Sequence, residues 1–394
     1  MKLTRLYKEF FDSEKAGGLI LVFMTILSLG LANSPWQFTY TNFWNLEFGG
    51  HSIVHWINDG LMTTFFLLIG LELEREFYKG ELSNFKNTVF PIFGAIGGMV
   101  FPAGIFLIFN FGTSAQSGTG IPTATDIAFA IGILSLLGNR VPASLKIFLT
   151  ALAVIDDLGA IIIIAVFYTT TLSFVNVIIA FAIFCFLLLI NRLKVHNLIP
   201  YIIGGVAMWY FMSSSGVHPT ITGVLLAFAV PFGNGSEKSP SYLLQHFLDK
   251  PVAFLILPLF ALANTGITID YNLIHGLGQN YSLGIMAGLI IGKPLGILLF
   301  ALFGVSIGLC TLPSDLRWRN IIGAGFMGGI GFTMSIFIGL LAFDIPEMIN
   351  TAKIAIFIGS LIAGTIGLLL LRLTLKTQIV DVDNYEVIKE NQQN

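Results

Sequence analysis

Long apolar runs, separated by short polar connections, fill most of this 394-residue chain. A membrane-spanning helix needs about 20 consecutive, mostly apolar residues. Twelve segments meet or approach that length, so the pattern predicts an all-α polytopic membrane protein with about 12 transmembrane helices. The predicted spans are 16–33, 53–74, 88–110, 121–138, 143–169, 172–190, 198–212, 216–232, 251–266, 282–304, 319–342 and 352–372.

The composition agrees with membrane insertion, because 55% of the residues are hydrophobic and only 11% are charged. A soluble domain usually carries about a quarter charged residues. Lipid-facing positions exclude charge, which accounts for the deficit. The net charge of -2 implies no polyanionic partner such as nucleic acid. Cys185 and Cys310 lie in apolar stretches and form neither a disulfide framework nor a metal motif.

The basic residues predict the orientation in the membrane. Short connections after odd-numbered spans lack Lys and Arg, whereas the N-terminus, the connections after even-numbered spans and the C-terminal tail carry them. Lys146 and Arg319 sit at predicted span ends that face the same side. Of the 20 basic residues only Lys293 and Lys353 fall elsewhere, and Lys353 lies at a predicted span end. The positive-inside rule therefore places both termini in the cytoplasm and makes the number of spans even.

No soluble domain interrupts this pattern. We expect a single integral membrane domain over residues 1–376 and a polar cytoplasmic tail over residues 377–394. The apolar run that starts at Gly17 has no clear cleavage site and is followed by many further spans. It is therefore predicted to be the first span and not a removable signal.

Spans 3–5 and spans 10–12 resemble each other, since each group contains a Gly/Pro-rich helix followed by an interrupted short segment. The groups start seven spans apart. Because seven is odd, the second group would enter the membrane from the opposite side. Such inverted-topology repeats are typical of transporters with a binding site near the midplane. The alternative is that Gly and Pro are simply frequent in membrane helices.

Asp126 lies just after Pro122 in the short fourth span. Proline removes a backbone donor and frees a carbonyl group, so the helix is expected to break near residues 123–126. Backbone carbonyls, Thr125 and Asp126 would then offer oxygen ligands to a cation in a protein-lined cavity. A carboxylate that only caps a helix would give the same sequence.

Asp156 and Asp157 stand near the middle of the fifth span, between long apolar stretches. A carboxylate at the centre of the bilayer costs about 2.5–3.5 kcal/mol on insertion scales, so a packing role does not explain two adjacent ones. Neighbouring helical residues point about 100° apart and can serve different partners. One of the pair can face a cation while the other faces a basic residue.

Lys293 is the only basic residue deep inside a predicted span. Burial and charge pairing both change the pKa of such a group, and proton exchange requires a pKa near the physiological range. Lys293 is therefore either a titrating group or a static partner of one aspartate. The residues alone leave both roles open.

Other ionisable residues lie near span ends. Glu72–Arg75 and Glu76–Lys79 are spaced as helical i,i+3 pairs at the cytoplasmic end of the second span. A solvated helix end explains them, and so does a pH-sensitive mouth that attracts cations. Asp59 lies deeper in that span and its role stays open. His218 near the outer end of span eight is compatible with a structural role or with pH sensing.

At these motifs the sequence resembles the NhaA family of sodium/proton antiporters, from Gly17 to about Leu373. The motifs that carry the resemblance are TDIAFA (125–130), IDDLGAIIIIA (155–165), SGVHPTITGV (215–224), IGKPLG (291–296) and GIGFTMSIFI (329–338). Members of this family are themselves examples of inverted repeats, so the repeat noted above is not independent of the resemblance.

The resemblance implies a pH-activated antiporter that exchanges Na+ or Li+ for H+ by alternating access and needs no cofactor. Broken helices in spans 4 and 11 would cross at the midplane. Asp156 and Asp157 would bind the transported Na+ and exchange protons. Thr125 and Asp126 would shape and balance the crossing, and Lys293 would pair with Asp156.

The resemblance also concerns the pH response. The residues that match the family's pH-responsive positions are Glu72, Arg75 and Glu76 at the cytoplasmic side, and His218. Where the family carries an acidic, histidine-rich stretch before the ninth span, residues 244–250 keep only His246. Glu74 stands where a basic residue would be expected. Both departures leave the pH set-point open.

The family is mostly bacterial and commonly forms homodimers, which suggests an inner-membrane location and a dimer in the lipid bilayer. The outer connection 34–52 resembles the segment that pairs subunits. The alternative function is a proton- or sodium-coupled carrier of a small organic substrate on a related fold. An intramembrane protease is disfavoured, because no GxGD element accompanies Asp126, Asp156 or Asp157. Ser213–Ser215 also lie too close to His218 for a serine protease site.

Overall fold

The computed structural model describes residues 14–80, 85–169 and 172–375. The basic residues Lys2, Arg5 and Lys8, and the predicted tail 377–394, lie outside these ranges. The described helices are α1 (Glu14–Ala32), α2 (Gln37–Trp44), α3 (Ile53–Tyr78), α4 (Phe85–Asn110), α5 (Ile127–Leu134), α6 (Ala143–Phe167), α7 (Phe174–Arg192), α8 (Ile199–Ser213), α9 (Ile221–Ala229), α10 (Pro240–Asn264), α11 (Tyr271–Gly276), α12 (Asn280–Ser306), α13 (Trp318–Gly328), α14 (Phe332–Ala342) and α15 (Pro346–Thr374).

Short 3-10 helices flank α5, at Ser114–Thr123 and Ser135–Arg140. The only strands in the described chain are β1 (Glu47–Phe48) and β2 (His51–Ser52), which pair antiparallel in the connection between α2 and α3. The prediction of an all-α membrane protein is therefore confirmed. The helical architecture follows from the membrane environment. A helix hydrogen-bonds its own backbone groups, whereas lipid chains offer those groups no hydrogen-bond partners.

Within the described residues, seven helices are long and apolar enough to cross a membrane. Three bent helix pairs raise the number to ten if each pair counts as one span. The predicted seventh and eighth spans coincide with α8 and α9, which have only 15 and 9 residues. The count of twelve thus stays a prediction. The predicted span 352–372 places Lys353 at its end. In the structure α15 begins at Pro346, so Lys353 lies two turns inside the helix.

Two of the described helices, α4 and α12, cross in backbone contact at a pair of glycines. A Cβ atom on Gly97 would overlap the carbonyl oxygen of Gly296, and a Cβ atom on Gly296 would overlap that of Gly97. Membrane helices associate by packing and hydrogen bonding, so small residues at such a contact let the backbones touch. One turn away, α12 contains a π-helical turn over Gly288–Gly292 that ends immediately before Lys293. The α4–α12 contact thus sets the position of Lys293 relative to the rest of the bundle.

Two further bent elements place the other candidate residues. The 3-10 segment Ser114–Thr123 meets α5 at 41°, and α13 meets α14 at 47°. The first break is extended backbone, with Ala124 at ψ 152° and Asp126 at ψ 96°. The predicted interruption near residues 123–126 is therefore present.

Gly296→Ala should destabilise the protein, because its new methyl group must displace the α4 backbone. Overpacking of this kind costs about 1–3 kcal/mol. Gly104→Ala is the matched control on α4, since a Cβ atom there meets no atom within 4 Å. We expect a lower thermal unfolding midpoint in detergent for Gly296→Ala and an unchanged or slightly higher one for Gly104→Ala. Equal midpoints would contradict a tight α4–α12 contact.

Candidate functional site

Two interrupted helices meet at the centre of the site. One break covers residues 124–126 before α5, and the other covers residues 329–331 before α14. The backbone N–H of Asp126 donates to the carbonyl oxygen of Ile330 at 2.6 Å. Backbone groups that lack a partner within their own helix are costly in a membrane interior. Each break therefore supplies a partner that the other needs.

Asp126 connects the two breaks through its carboxylate, which is 2% exposed. Its Oδ1 accepts the N–H of Phe129 at 3.0 Å and so caps α5. Its Oδ2 accepts the N–H of Thr333 at 3.0 Å and the hydroxyl of Thr333 at 2.5 Å. Helix N-termini stabilise negative charge, and Asp126 lies at two of them. The capping role left open by the sequence is thus real, but the same carboxylate also binds the second break. The place where the two breaks meet is called the crossing below.

Asp156 and Lys293 form an ion pair in which neither side chain is exposed. Lys293 Nζ contacts Asp156 Oδ2 and donates to the hydroxyl oxygen of Thr125 at 2.9 Å. The one hydroxyl proton of Thr125 has two acceptors within reach, Asp156 Oδ2 at 2.7 Å and the Gly328 carbonyl oxygen at 2.8 Å. Thr125 therefore links the ion pair to both breaks.

Asp157 has very different surroundings from its neighbour. Both of its carboxylate oxygens are buried, and neither accepts a hydrogen bond from the described part of the chain. The same holds for Asp156 Oδ1. A buried carboxylate without a partner is unfavourable unless it is protonated or bound to a cation. These three oxygens are consequently the ones free to take up a proton or an ion.

The net charge of the buried groups also favours a bound cation or proton. Asp126, Asp156 and Asp157 bring three carboxylates into the crossing, and Lys293 is the ammonium group beside them. If all four were ionised, the group would carry two uncompensated negative charges. Such an arrangement favours small cations and protons and excludes anions.

A cavity of about 800 Å³ opens between α3, α5, α6 and α10. Its lining includes Glu72, Arg75, Glu76 and His246, four of the predicted pH-response residues. Val154 also lines it, one turn before Asp157 on α6. The cavity therefore approaches the aspartate pair from the end where the basic residues cluster.

The structure adds residues to this cavity that sequence reasoning missed. Asp249 and Gln245 line it from α10, and Arg75 lies 4.8 Å from the ring centroid of Tyr242 on the same helix. Nothing in the spacing of residues 240–250 indicated that this face of α10 would meet α3. Glu74 lies outside this lining; its Oε2 is buried and has no hydrogen-bond partner among the described residues.

His218 belongs to a separate group. Its Nδ1 lies 2.8 Å from the hydroxyl of Thr220, and its Nε2 lies 3.8 Å from Asp59 Oδ1. His55 Nε2 lies 3.5 Å from the other oxygen of Asp59. Asp59 sits in the π-helical turn Trp56–Leu61, which sequence periodicity does not reveal. Asp59, whose role the sequence leaves open, therefore faces two imidazoles.

Among the described residues, no group of three or more His, Cys, Asp and Glu side chains has a metal-holding arrangement. The crossing offers separate oxygens of Asp156 and Asp157.

Comparisons with known proteins identify the family. The family model described as Na+/H+ antiporter 1 matches residues 8–371. A Flavobacterium psychrophilum protein named Na(+)/H(+) antiporter NhaA is 65% identical over 98% of this chain and 100% of its own length. Na(+)/H(+) antiporter NhaA 1 of Flavobacterium johnsoniae is 66% identical over 96% and 99%, respectively. The NhaA of Cytophaga hutchinsonii is 58% identical over 95% and 97%.

Thr333→Val tests the link between the breaks, because it removes one of three donors to Asp126. A hydrogen bond to a charged group contributes about 1.5–3 kcal/mol. We expect a lower thermal unfolding midpoint, whereas Thr351→Val, which removes a partly buried bond within α15 to the Glu347 carbonyl, should lower it less. If the two variants unfold alike, Asp126 does not depend on Thr333.

Proposed function

Because the chain belongs to the Na+/H+ antiporter 1 family, we propose that it is a pH-activated antiporter that exports Na+ or Li+ in exchange for H+. The observation that carries this proposal is the pair of adjacent carboxylates at the crossing. Asp156 is saturated by Lys293 and Thr125 on one oxygen, while Asp157 keeps both oxygens unpaired within the described residues. The same residues therefore offer a place to a cation and to protons, but not to both at once.

The proposed mechanism is competition at Asp156 and Asp157. When the site faces the cytoplasm, a sodium ion displaces protons and takes the free oxygens of the two carboxylates. After the site reorients, protons from outside displace the sodium ion. Lys293 holds Asp156 in place, while Thr125 and Asp126 keep the two breaks together through each exchange. The proton gradient drives proton uptake and sodium exit.

We further propose that the pH response resides in the ionisable residues outside the crossing. Glu72, Arg75, Glu76 and His246 share the cavity that leads toward Asp157, so their charges act on cations that enter it. His218 contacts Asp59 at the other end of α3. The ring centroid of His218 lies 5.5 Å from that of Phe337 on α14. A change of charge at either place would act on an element that is connected to the site.

The finer architecture is part of the same proposal. Twelve spans would include α8 and α9, and the two inverted repeats would each contain one of the breaks. Residues 1–376 would form a single transporter domain in the bacterial inner membrane, with both termini and the tail 377–394 in the cytoplasm. Two subunits would pair through the outer connection 34–52, where β1 and β2 form a hairpin.

Asp157→Asn should abolish Na+- or Li+-dependent proton movement in everted membrane vesicles, because the amide cannot release a proton to admit a cation. Asp344→Asn removes an exposed carboxylate outside the crossing and should leave the exchange intact. The amount and thermal stability of each protein in the membrane are measured in parallel. Wild-type exchange in Asp157→Asn would disprove the assignment. Uptake of an organic anion by the wild type, with no cation-dependent proton flux, would favour the alternative carrier.

Competition also fixes the sign of the pH dependence. A rise in pH removes the competing proton, so the sodium concentration for half-maximal exchange should fall as pH rises. For one competing proton the fall is at most about tenfold per pH unit and levels off once the site is deprotonated. Vesicle assays at pH values one unit apart measure this directly. A half-saturation concentration that stays constant over the whole pH range, its acidic end included, would exclude shared carboxylates.

A further inference from the structure

Two adjoining cavities lie between α5 and α15, away from the crossing carboxylates. The wider one, about 430 Å³, is lined by Leu136, Arg140, Leu368 and Arg372, among others. The narrower one, about 200 Å³, also has Leu136 and Leu368 in its lining. Because both cavities are lined by Leu136 and Leu368, they form one continuous furrow, here called the α5–α15 furrow.

One wall of the furrow is a single face of α15. Phe357, Leu361, Gly364, Leu368 and Arg372 line it and follow one another at intervals of three or four residues. The axial distance from the first to the last is about 22 Å at 1.5 Å per residue. One bilayer leaflet, headgroup included, is about 20–22 Å deep. The furrow therefore has the length of one lipid molecule.

The other wall comes from α5 and the 3-10 turn that follows it. Phe129, Ile133 and Leu136 line the furrow from this side, and Phe332 of α14 closes its inner end. The ring centroids of Phe129 and Phe332 are 5.6 Å apart. Apart from the hydroxyl groups of Ser360 and Thr365 and the backbone of Gly364, apolar side chains line this inner half, so it suits an acyl chain.

Two charged side chains line the end of the furrow that is farthest from Phe129 and Phe332. Arg140 and Arg372 both line the wider cavity and are exposed. Neither makes an ion pair or a side-chain hydrogen bond with the described residues, and no acidic side chain lines either cavity. Two guanidinium groups without carboxylate partners attract a phosphate, which they can bind through paired N–H donors.

We propose that the α5–α15 furrow is a binding site for an anionic phospholipid. The headgroup phosphate binds between Arg140 and Arg372, and one acyl chain runs along α15 to Phe129 and Phe332. The distribution of basic residues places this lipid in the cytoplasmic leaflet. Its chain end then packs against the two helices that begin at the breaks, three residues from Asp126 and one residue from Thr333. This binding does not depend on the transport activity.

The charged end is tested by titrating delipidated protein in dodecyl maltoside with dioleoylphosphatidylglycerol or dioleoylphosphatidylcholine and counting bound lipids by native mass spectrometry. We expect the wild type to prefer phosphatidylglycerol. Each of Arg140→Gln and Arg372→Gln should weaken its binding about fivefold, as for one basic residue near a lipid surface. Lys238→Gln removes an exposed charge elsewhere and should not weaken it. Equal binding of both lipids, or wild-type affinity in both arginine variants, would overturn the proposal.

The apolar end is tested by filling the furrow. Leu361→Trp places a larger side chain in its wall and should reduce phosphatidylglycerol binding. Leu369→Trp is the matched control, since Leu369 is 52% exposed, against 59% for Leu361, and does not line the furrow. Inorganic phosphate should not displace the lipid. Complete displacement by phosphate, or equal binding by the two tryptophan variants, would show that no acyl chain occupies the furrow.

Discussion

The buried ion pair between Lys293 and Asp156 is the interaction on which the arrangement of this protein depends. Removing two charges from water costs several kcal/mol per ion, and the attraction offsets this cost only when the geometry is good. Thr125 improves the geometry by accepting from Lys293 and contacting Asp156. Loss of one partner would leave an isolated charge, at a cost of about 3–5 kcal/mol. The helices that carry the pair must therefore be held firmly together.

The rest of the bundle meets that requirement with small residues and interrupted helices. The backbones of α4 and α12 touch at Gly97 and Gly296, which fixes the helix that carries Lys293. Asp126 ties α5 to α14. With these elements fixed, Asp156, which is paired through one oxygen, stands beside Asp157, whose oxygens have no protein partner in the described chain. That contrast between neighbours is what allows a fixed scaffold to exchange a cation for protons.

The ionisable residues of the crossing could be predicted from sequence because charge inside a span is costly, and Asp156, Asp157 and Lys293 have no compensating polar neighbours along the chain. Pro122 likewise indicated the break before Asp126. Contacts between distant segments could not be predicted in this way. Periodicity does not show that Asp249 faces the cavity of Glu72, that Asp59 faces two histidines, or that Arg140 and Arg372 share one furrow. Each of these depends on how helices far apart in sequence pack.

The central claim is that sodium and protons occupy the same carboxylates. Isothermal titration calorimetry of the purified protein with Na+, in buffers of different ionisation enthalpy, measures the protons released for each sodium ion bound. The account predicts proton release at neutral pH that declines as the pH rises, with no sodium binding by Asp157→Asn. Sodium binding that releases no protons at any pH would contradict it.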